Sequence, residues 1–555
     1  MFDDSHRQFS LAFFGLGLHS IRFCKKGMEF MSETYYVTTP IYYVNDVPHI
    51  GHSYTTIAAD VLARFFRAAG RDVHFLTGTD EHGIKIFKAA AEKGTTPREL
   101  ADNVVKHFRQ LWVDLNISND DFIRTTEPRH EARVQALIRE LVARDEIYKA
   151  AYEGWYDEGQ EEYVTESTAR ANDYKSEING KPLTRYSEEN WFFRLKKWAP
   201  KLIEHIEQVN PTFVQPDARR NEVLSKLRMG LESGELSDLC ISRNKAKLPW
   251  GVDMPNDPSH VVYVWIDALS NYYSALGSPA VGDEYDNRHA NYWPCNVHLI
   301  GKDILWFHAV YWPCFLMALD IPLPKCVFAH GWWTSEGQKM SKSLGNFISR
   351  EQIAQYCEQY SRDVYRYYLL RSVTFGSDGD FAHDMVQQVY NADLANGVGN
   401  LLSRTVKMIA KYFDGEIPAP AEDVEDVRWV KTAADALHDG AVGWMETCAF
   451  SKYLEAITTL VGATNKFIDD TEPFKLAKDE SQRDRLATVL YTCAEAVRIV
   501  LLYLSPVMPD KTAAGLARLG LTPPTETLAE AGRWGALQPG GKVAPGDPLF
   551  PRAEK

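Results

Sequence analysis

Two short motifs carry the residue types best suited to chemistry. His49-Ile50-Gly51-His52 lies near the start of the chain, and Lys339-Met340-Ser341-Lys342-Ser343 follows about 290 residues later. The histidines stand three apart at the predicted start of a helix, so both face one side. Gly51 has no side chain and permits close approach of an adenine or phosphate group. The helix N-terminus adds partial positive charge. Lys339 and Lys342 follow the turn-like Ser335-Glu336-Gly337-Gln338 and precede Gly345-Asn346. That describes a basic loop able to close over a triphosphate and open again. Each motif alone has a plain reading, as capping histidines or as a solvated charged turn. Together they suit stabilisation of the charge that develops when ATP is attacked at its α-phosphate.

The elements around the histidines are legible. Thr34 to Val44 is rich in Tyr, Val, Thr and Ile, which predicts a strand. A turn follows with Asn45, Asp46 and Pro48. From His52 the spacing of Ile57, Val61, Leu62, Phe65 and Phe66 predicts a helix, with Gly70 placed to end it. Val73 to Leu76 reads as a second strand. This β-α-β unit puts polar residues at the strand ends, where open parallel sheets bind ligands. From about Lys149 to Val262 the rhythm breaks into a Glu-, Lys-, Asn- and Tyr-rich insertion, with strand-like pieces such as Asn190 to Leu195. The sheet is expected to resume with His260 to Trp265, Val297 to Ile300 and Cys326 to Phe328. After about Phe381 long helical patterns dominate, over Met385 to Tyr412, Val427 to Met445, Lys452 to Asp469 and Asp484 to Leu504. That predicts a helical bundle.

Bulk properties narrow the class. The chain has 555 residues, 45% hydrophobic and 25% charged, which is ordinary for a soluble globular protein. Its net charge of −14 counts against a generally basic nucleic-acid binder, though binding needs only a local basic surface. No DNA partner is expected. The eight cysteines are scattered with no C-x-x-C pair, which argues for a reducing compartment and against a cysteine-built zinc site. No segment reads as transmembrane. The most apolar long stretch, Ile304 to Leu319, is shorter than the ~20 residues a span needs and reads as a buried core helix. The first thirty or so residues look foreign to the rest and read as a disordered extension or an upstream start.

The two motifs resemble the signature sequences of class I aminoacyl-tRNA synthetases. The surroundings are closer still to the methionyl-tRNA synthetases. Thr38-Thr39-Pro40-Ile41-Tyr42-Tyr43-Val44-Asn45, Thr77-Gly78-Thr79-Asp80-Glu81-His82-Gly83, Tyr263-Val264-Trp265-Ile266-Asp267-Ala268-Leu269 and Gly301-Lys302-Asp303-Ile304 all look like that family. The resemblance runs from about Tyr35 to the end. It implies a two-step reaction. Methionine and ATP, with Mg2+, give methionyl-adenylate and pyrophosphate, and the methionyl group then moves to the terminal adenosine of tRNA(Met), initiator and elongator. By resemblance, His49, Gly51 and His52 meet the phosphates, Lys339 and Lys342 hold the departing pyrophosphate, and Asp303 serves the nucleotide or its surroundings. Asp80 suits the methionine ammonium. Ile41, Tyr43, Trp265, Ala268, Leu269, Tyr272, Ile304 and His308 match the side-chain pocket. The Ile41 N–H and the Tyr272 hydroxyl are expected to meet the sulfur, and Arg243 to help with the carboxylate. Asn400 and Arg404, one helical turn apart, match positions that read the CAU anticodon. Phe474 stands where many relatives have tryptophan and can still stack on a base.

The expected architecture is an α/β Rossmann-type parallel-sheet catalytic domain with an inserted connective domain, followed by an all-α anticodon-binding bundle. The boundaries read as an extension over 1–33, the first catalytic half over 34–148, the insertion over 149–262, the second half with the lysine loop over 263–380, the bundle over 381–540 and a tail over 541–555. Many relatives carry a zinc-binding cysteine knuckle where this chain reads Asp157-Glu158-Gly159-Gln160, so no structural zinc and no other metal site is expected. A cytoplasmic monomer is expected, the chain stopping soon after the bundle at Leu549-Phe550-Pro551. Synthetases for isoleucine, valine and leucine are the nearest rivals, but the insertion leaves little room for their large hydrolytic domain. A small-molecule adenylyltransferase would not need Asn400 and Arg404. A non-catalytic relative should have lost key residues that are present here.

Overall fold

The computed structural model describes residues 33–159, 161–277, 289–335, 337–340, 347–421 and 427–553. All but the last residue of the expected 1–33 extension, and Ser341, Lys342 and Ser343 of the second motif, lie outside the described residues.

β1 (Thr34–Tyr43), α1 (Ile50–Ala68) and β2 (Asp72–Asp80) form the first β-α-β unit. α2 (Ile84–Glu92) and α3 (Pro97–Asp114) follow, then β3 (Asp121–Arg124) and α4 (Pro128–Ala143). Alternation along β1 divides the interior. Tyr35 and Val37 pack with α1 and α3, while Tyr36 joins the core on the opposite face with Ile123 and Ile138.

β4 (Ile147–Asp157), β5 (Glu162–Val164) and β6 (Thr184–Phe193) open the insertion. The chain then returns to the main sheet at β7 (Val214–Gln215) before β8 (Leu239–Cys240) completes an antiparallel sheet ordered β5-β4-β6-β8. The stretch 149–262 is therefore not one continuous excursion. Trp198, Leu202 and Phe213 sit in the catalytic core with Phe315. A two-residue strand leaves no periodicity to read.

β9 (Ser242–Asn244) and β10 (His260–Val262) form a separate antiparallel pair. The expected strand His260 to Trp265 thus does not rejoin the main sheet. Its second half becomes the buried helix Val264–Leu269. The apolar run Val261 to Trp265 suits a strand or a buried helix equally, and tertiary packing decides. β11 (Val297–Gly301) and β12 (Val327–His330) do rejoin it. β13 (Trp333–Ser335), β14 (Gln338–Lys339) and β15 (Gly379–Phe381) make a small sheet that rests on α1 through Trp333 and Tyr54, 5.4 Å apart.

The main sheet has six parallel strands in the order β3-β2-β1-β11-β12-β7. Its order reverses between β1 and β11, which makes the carboxyl ends of those strands the natural ligand crevice. The bundle is built from the continuous run His383 to Tyr412 and the helices Val427–Glu446, Phe450–Thr471 and Arg483–Leu504. The segment Glu480–Leu504 is long and apolar enough to cross a membrane, but its apolar window is wholly buried among its neighbours.

Candidate active site

α1 begins at the switch point, and its first turn is capped by the two histidines themselves. His49 is the N-cap, its Nδ1 accepting from the Gly51 N–H at 3.1 Å, while His52 Nδ1 accepts from the His49 N–H at 3.0 Å. This is a capping box made of imidazoles. The geometry fixes the tautomers: a neutral ring that accepts at Nδ1 carries its proton on Nε2. Burial, and the His49 ring beside it, hold His52 well below the usual imidazole value, so it is a neutral donor. A Cβ on Gly51 would lie 3.0 Å from the His49 ring, so a side chain there would disturb the cap.

The second motif flanks the same turn. Lys339 lies in β14, paired with Thr334, and Lys342 is outside the described residues. Beyond it the chain reappears against α1. The Ile50 N–H donates to the Ile348 carbonyl at 3.2 Å, His49 bridges to Ser349, and the Phe347 ring meets His49 edge-on at 4.9 Å.

Asp80, at the end of β2, is buried. Burial, and then the nearby carboxylates of Asp267 and Glu161, push its carboxyl well above the usual range. Such a group is short of positive charge, which an ammonium would supply. Asp267 is the opposite case. Burial alone would raise it, but His82 Nδ1 at 2.7 Å and His130 Nε2 at 2.8 Å hold it at about 2. His130 Nδ1 lies 2.8 Å from Ser274 Oγ, so the ring is fixed from both sides.

Tyr43 pairs with Asp80 across β1 and β2 and leads into an apolar aromatic cluster. Ile41, Tyr43, Trp265 and Ile304 are half-buried in the same core. Trp265 stacks on Phe307 at 3.7 Å, with the Tyr43 ring edge-on to it at 6.4 Å. Phe307 and His308 occupy a π-helical turn, Phe307–Tyr311, of a kind frequent at functional sites. His308 Nδ1 donates to the Ile304 carbonyl at 3.0 Å, so its Nε2 accepts the Tyr272 hydroxyl proton at 2.7 Å. Burial lowers His308 to about 4, which keeps that arrangement neutral. The Tyr272 proton is thereby committed to His308. The hydroxyl can meet a thioether as a polarisable neighbour but not as a hydrogen-bond donor.

Ala268 is buried, and Leu269 lines an apolar gap with Ile138, Leu141 and Phe315, on the side of α4. Arg243 donates to the carbonyls of Ser242 at 2.8 Å and Glu161 at 3.2 Å, walled by the rings of Tyr263, Tyr156 and Tyr163. It bonds within the insertion and its base, so the expected carboxylate contact would compete with those bonds. Asp303 is exposed beyond β11 and accepts from Trp332 Nε1 at 3.1 Å. A groove of about 600 Å3 between Ile206 and Glu232 contains none of these residues.

At the end of the bundle Asn400 is exposed and Phe474 is 49% exposed just after Phe450–Thr471. Arg404 pairs with Asp469 at 2.7 Å on that same helix. Sequence reasoning missed Asp267 and His82 as a unit, though both lie inside the quoted motifs. His130, Phe307 and Glu161 gave no signal of their own.

A parallel sheet in this order, with a histidine-capped helix at its switch point, is the arrangement of the class I tRNA synthetases. A family model described as tRNA synthetases class I (M) matches residues 35–172 and 167–406. The methionine-tRNA ligase of Caldanaerobacter subterraneus subsp. tengcongensis is 47% identical over 524 residues, which cover 94% of this chain and 80% of that protein. That of Rickettsia bellii is 42% identical over 529 residues, 95% of this chain and 100% of that protein. Mycobacterium tuberculosis methionyl-tRNA synthetase in complex with methionyl-adenylate superposes with a TM-score of 0.86 at 40% identity, over 94% of this chain and 100% of that one. The chain belongs to the methionine-tRNA ligase family.

Proposed function

We propose that this chain activates methionine with ATP and transfers it to tRNA(Met), initiator and elongator alike. The observation that carries the reading is a buried, charge-starved Asp80 beside an apolar aromatic cluster, at the same crevice as a helix start with two imidazole caps. The methionine ammonium pairs with Asp80 and the thioether packs against Ile41, Tyr43, Trp265 and Ile304, with Ala268, Tyr272 and His308 behind. A carboxylate oxygen then forms a bond to the α-phosphorus as the bond to the bridging oxygen of pyrophosphate breaks. His49 and His52 offer Nε2–H donors, and Gly51 leaves room for the phosphates. Lys339 and Lys342 take the charge of the departing pyrophosphate, and Asp303 faces the nucleotide. Both motifs contribute N–H and ammonium donors, which suit phosphate oxygen rather than a cation. Magnesium would come bound to the triphosphate, where it would offset phosphate charge.

The insertion supports the acceptor end, and Asn400, Arg404 and Phe474 read the anticodon. The turn at Asp157 is closed by its own side chain, which accepts from the Gly159 N–H at 2.7 Å, and we assign it to a zinc-free form. Among the described residues no group of three or more His, Cys, Asp or Glu side chains is placed to hold a metal. The enzyme is proposed to work as a monomer in the cytoplasm, with no DNA or membrane partner. Charging of a CAU-anticodon tRNA with labelled methionine tests the whole reading. Charging is expected from the unaltered chain and none from Asp80→Asn. Equal charging by Asp80→Asn would overturn it.

A further inference from the structure

The tip of the β4–β5 hairpin ends on the catalytic domain in an unusual residue. Glu161 is 1% exposed and, though not glycine, has a φ of +59°. Its Oε1 accepts from the Ile84 N–H at 2.9 Å and the Lys85 N–H at 3.3 Å, the first two amides of α2. Its Oε2 accepts from the Tyr43 hydroxyl at 2.8 Å, and Lys85 Nζ stands 3.8 Å away. Its carbonyl accepts from Arg243. The cap position before α2 is Gly83, at φ +99°, where a Cβ would lie 2.9 Å from Glu161 Oε1 and 3.0 Å from Val264. The same tip makes a second grip on α2, Glu158 to Lys88 at 2.5 Å.

α2 has no side-chain cap of its own, so a carboxylate from the insertion supplies what its first turn lacks. Asp80 stands four residues before α2 begins. One carboxylate thus ties together the chain that follows Asp80 and the aromatic ring of Tyr43, which pairs with Asp80 across the sheet.

We infer that Glu161 is a positioning residue for the amino acid: reaching from the insertion, it fixes the start of α2 and the Tyr43 ring around the ammonium and side-chain sites. The inference rests on the proposed methionine activation. It assigns the acidic hairpin tip a task at the pocket, separate from support of the acceptor end. The proximity of a second carboxylate also keeps Asp80 short of positive charge until an ammonium arrives.

The test is methionine-dependent exchange of pyrophosphate into ATP by the unaltered chain, Glu161→Ala and Glu161→Gln, with thermal melting alongside. Gln keeps an oxygen that accepts from the α2 amides. The expected result is a rise of about tenfold or more in the methionine KM for Glu161→Ala, as for loss of one buried charge-assisted bond. The ATP KM should stay within about twofold, and Glu161→Gln should recover most of the loss. An unchanged methionine KM in Glu161→Ala would overturn the inference. So would an equal loss towards methionine and ATP that tracks a lowered Tm and is not rescued by Gln, since that is a cap acting on stability alone. An unaltered chain without methionine-dependent exchange would instead overturn the proposed function, and the inference with it.

Discussion

At the scale of single residues, the site works by contrast between two buried carboxylates. Asp267 is ionised because two imidazoles hold it, whereas Asp80 has carboxylate neighbours and is pushed up. The raised Asp80 has a defined consequence. As pH climbs past the ordinary carboxylate value, the unfolded chain gives up this proton before the folded one does. Asp80 therefore costs stability progressively until the pH passes its folded value, after which the cost is constant. A bound ammonium reverses the preference and ionises Asp80, so methionine binding at a pH below the raised value releases a proton. Calorimetry in buffers of different ionisation heat should show that release. An enthalpy independent of buffer would refute it. The motif residues were legible in sequence because their types are rare in combination, a His-x-Gly-His and a doubled lysine. His130 was not, because a histidine inside an otherwise ordinary helix shows no chemistry until the fold brings Asp267 to it.

At the scale of elements, α1 joins the two motifs. Its histidine cap and the Ile348 carbonyl together satisfy amides that a helix start leaves open, so the chain after the second motif is held against the start of α1. The β1–α1–β2 unit could be read from its period, since each element is long enough to show one. β7, of two residues, could not, and Val264–Leu269 looked like a continuation of the strand at His260 because burial on all sides removes the helical stripe. In the bundle, the exposed ion pair of Arg404 with Asp469 contributes little to stability, since such pairs are worth about 0–1 kcal/mol. Arg404 is thus free to exchange it for a base. Arg404→Ala should cut tRNA charging severely, with each lost base contact worth ~1–3 kcal/mol, and leave pyrophosphate exchange nearly unchanged. A proportional loss of both activities would mean that Arg404 only braces the bundle.

At the scale of the whole molecule, one buried pair fastens the bundle to the catalytic sheet. Arg366, fully buried in the helix Arg362–Arg371, lies 2.7 Å from Asp60 in the middle of α1. It also donates to the carbonyls of Val507 at 2.8 Å, Pro506 at 3.0 Å and Leu115 at 3.2 Å. Burial would raise Asp60, but Arg366 and Arg64 outweigh it and lower its carboxyl. Removing Arg366 takes one of two cations from buried Asp60 and leaves three buried carbonyls without its donors, so Arg366→Ala should lower unfolding stability by about 3–5 kcal/mol in denaturant titration. A loss under about 1 kcal/mol would contradict that role. No sequence pattern marked Arg366, whose partners lie on three separate segments. The central claim, that the crevice between β1 and β11 activates methionine, is tested most directly by pyrophosphate exchange into ATP with single amino acids. The account predicts exchange with methionine and weak or no exchange with leucine, isoleucine, valine or cysteine. Exchange driven equally by one of those, or none with methionine, would contradict it.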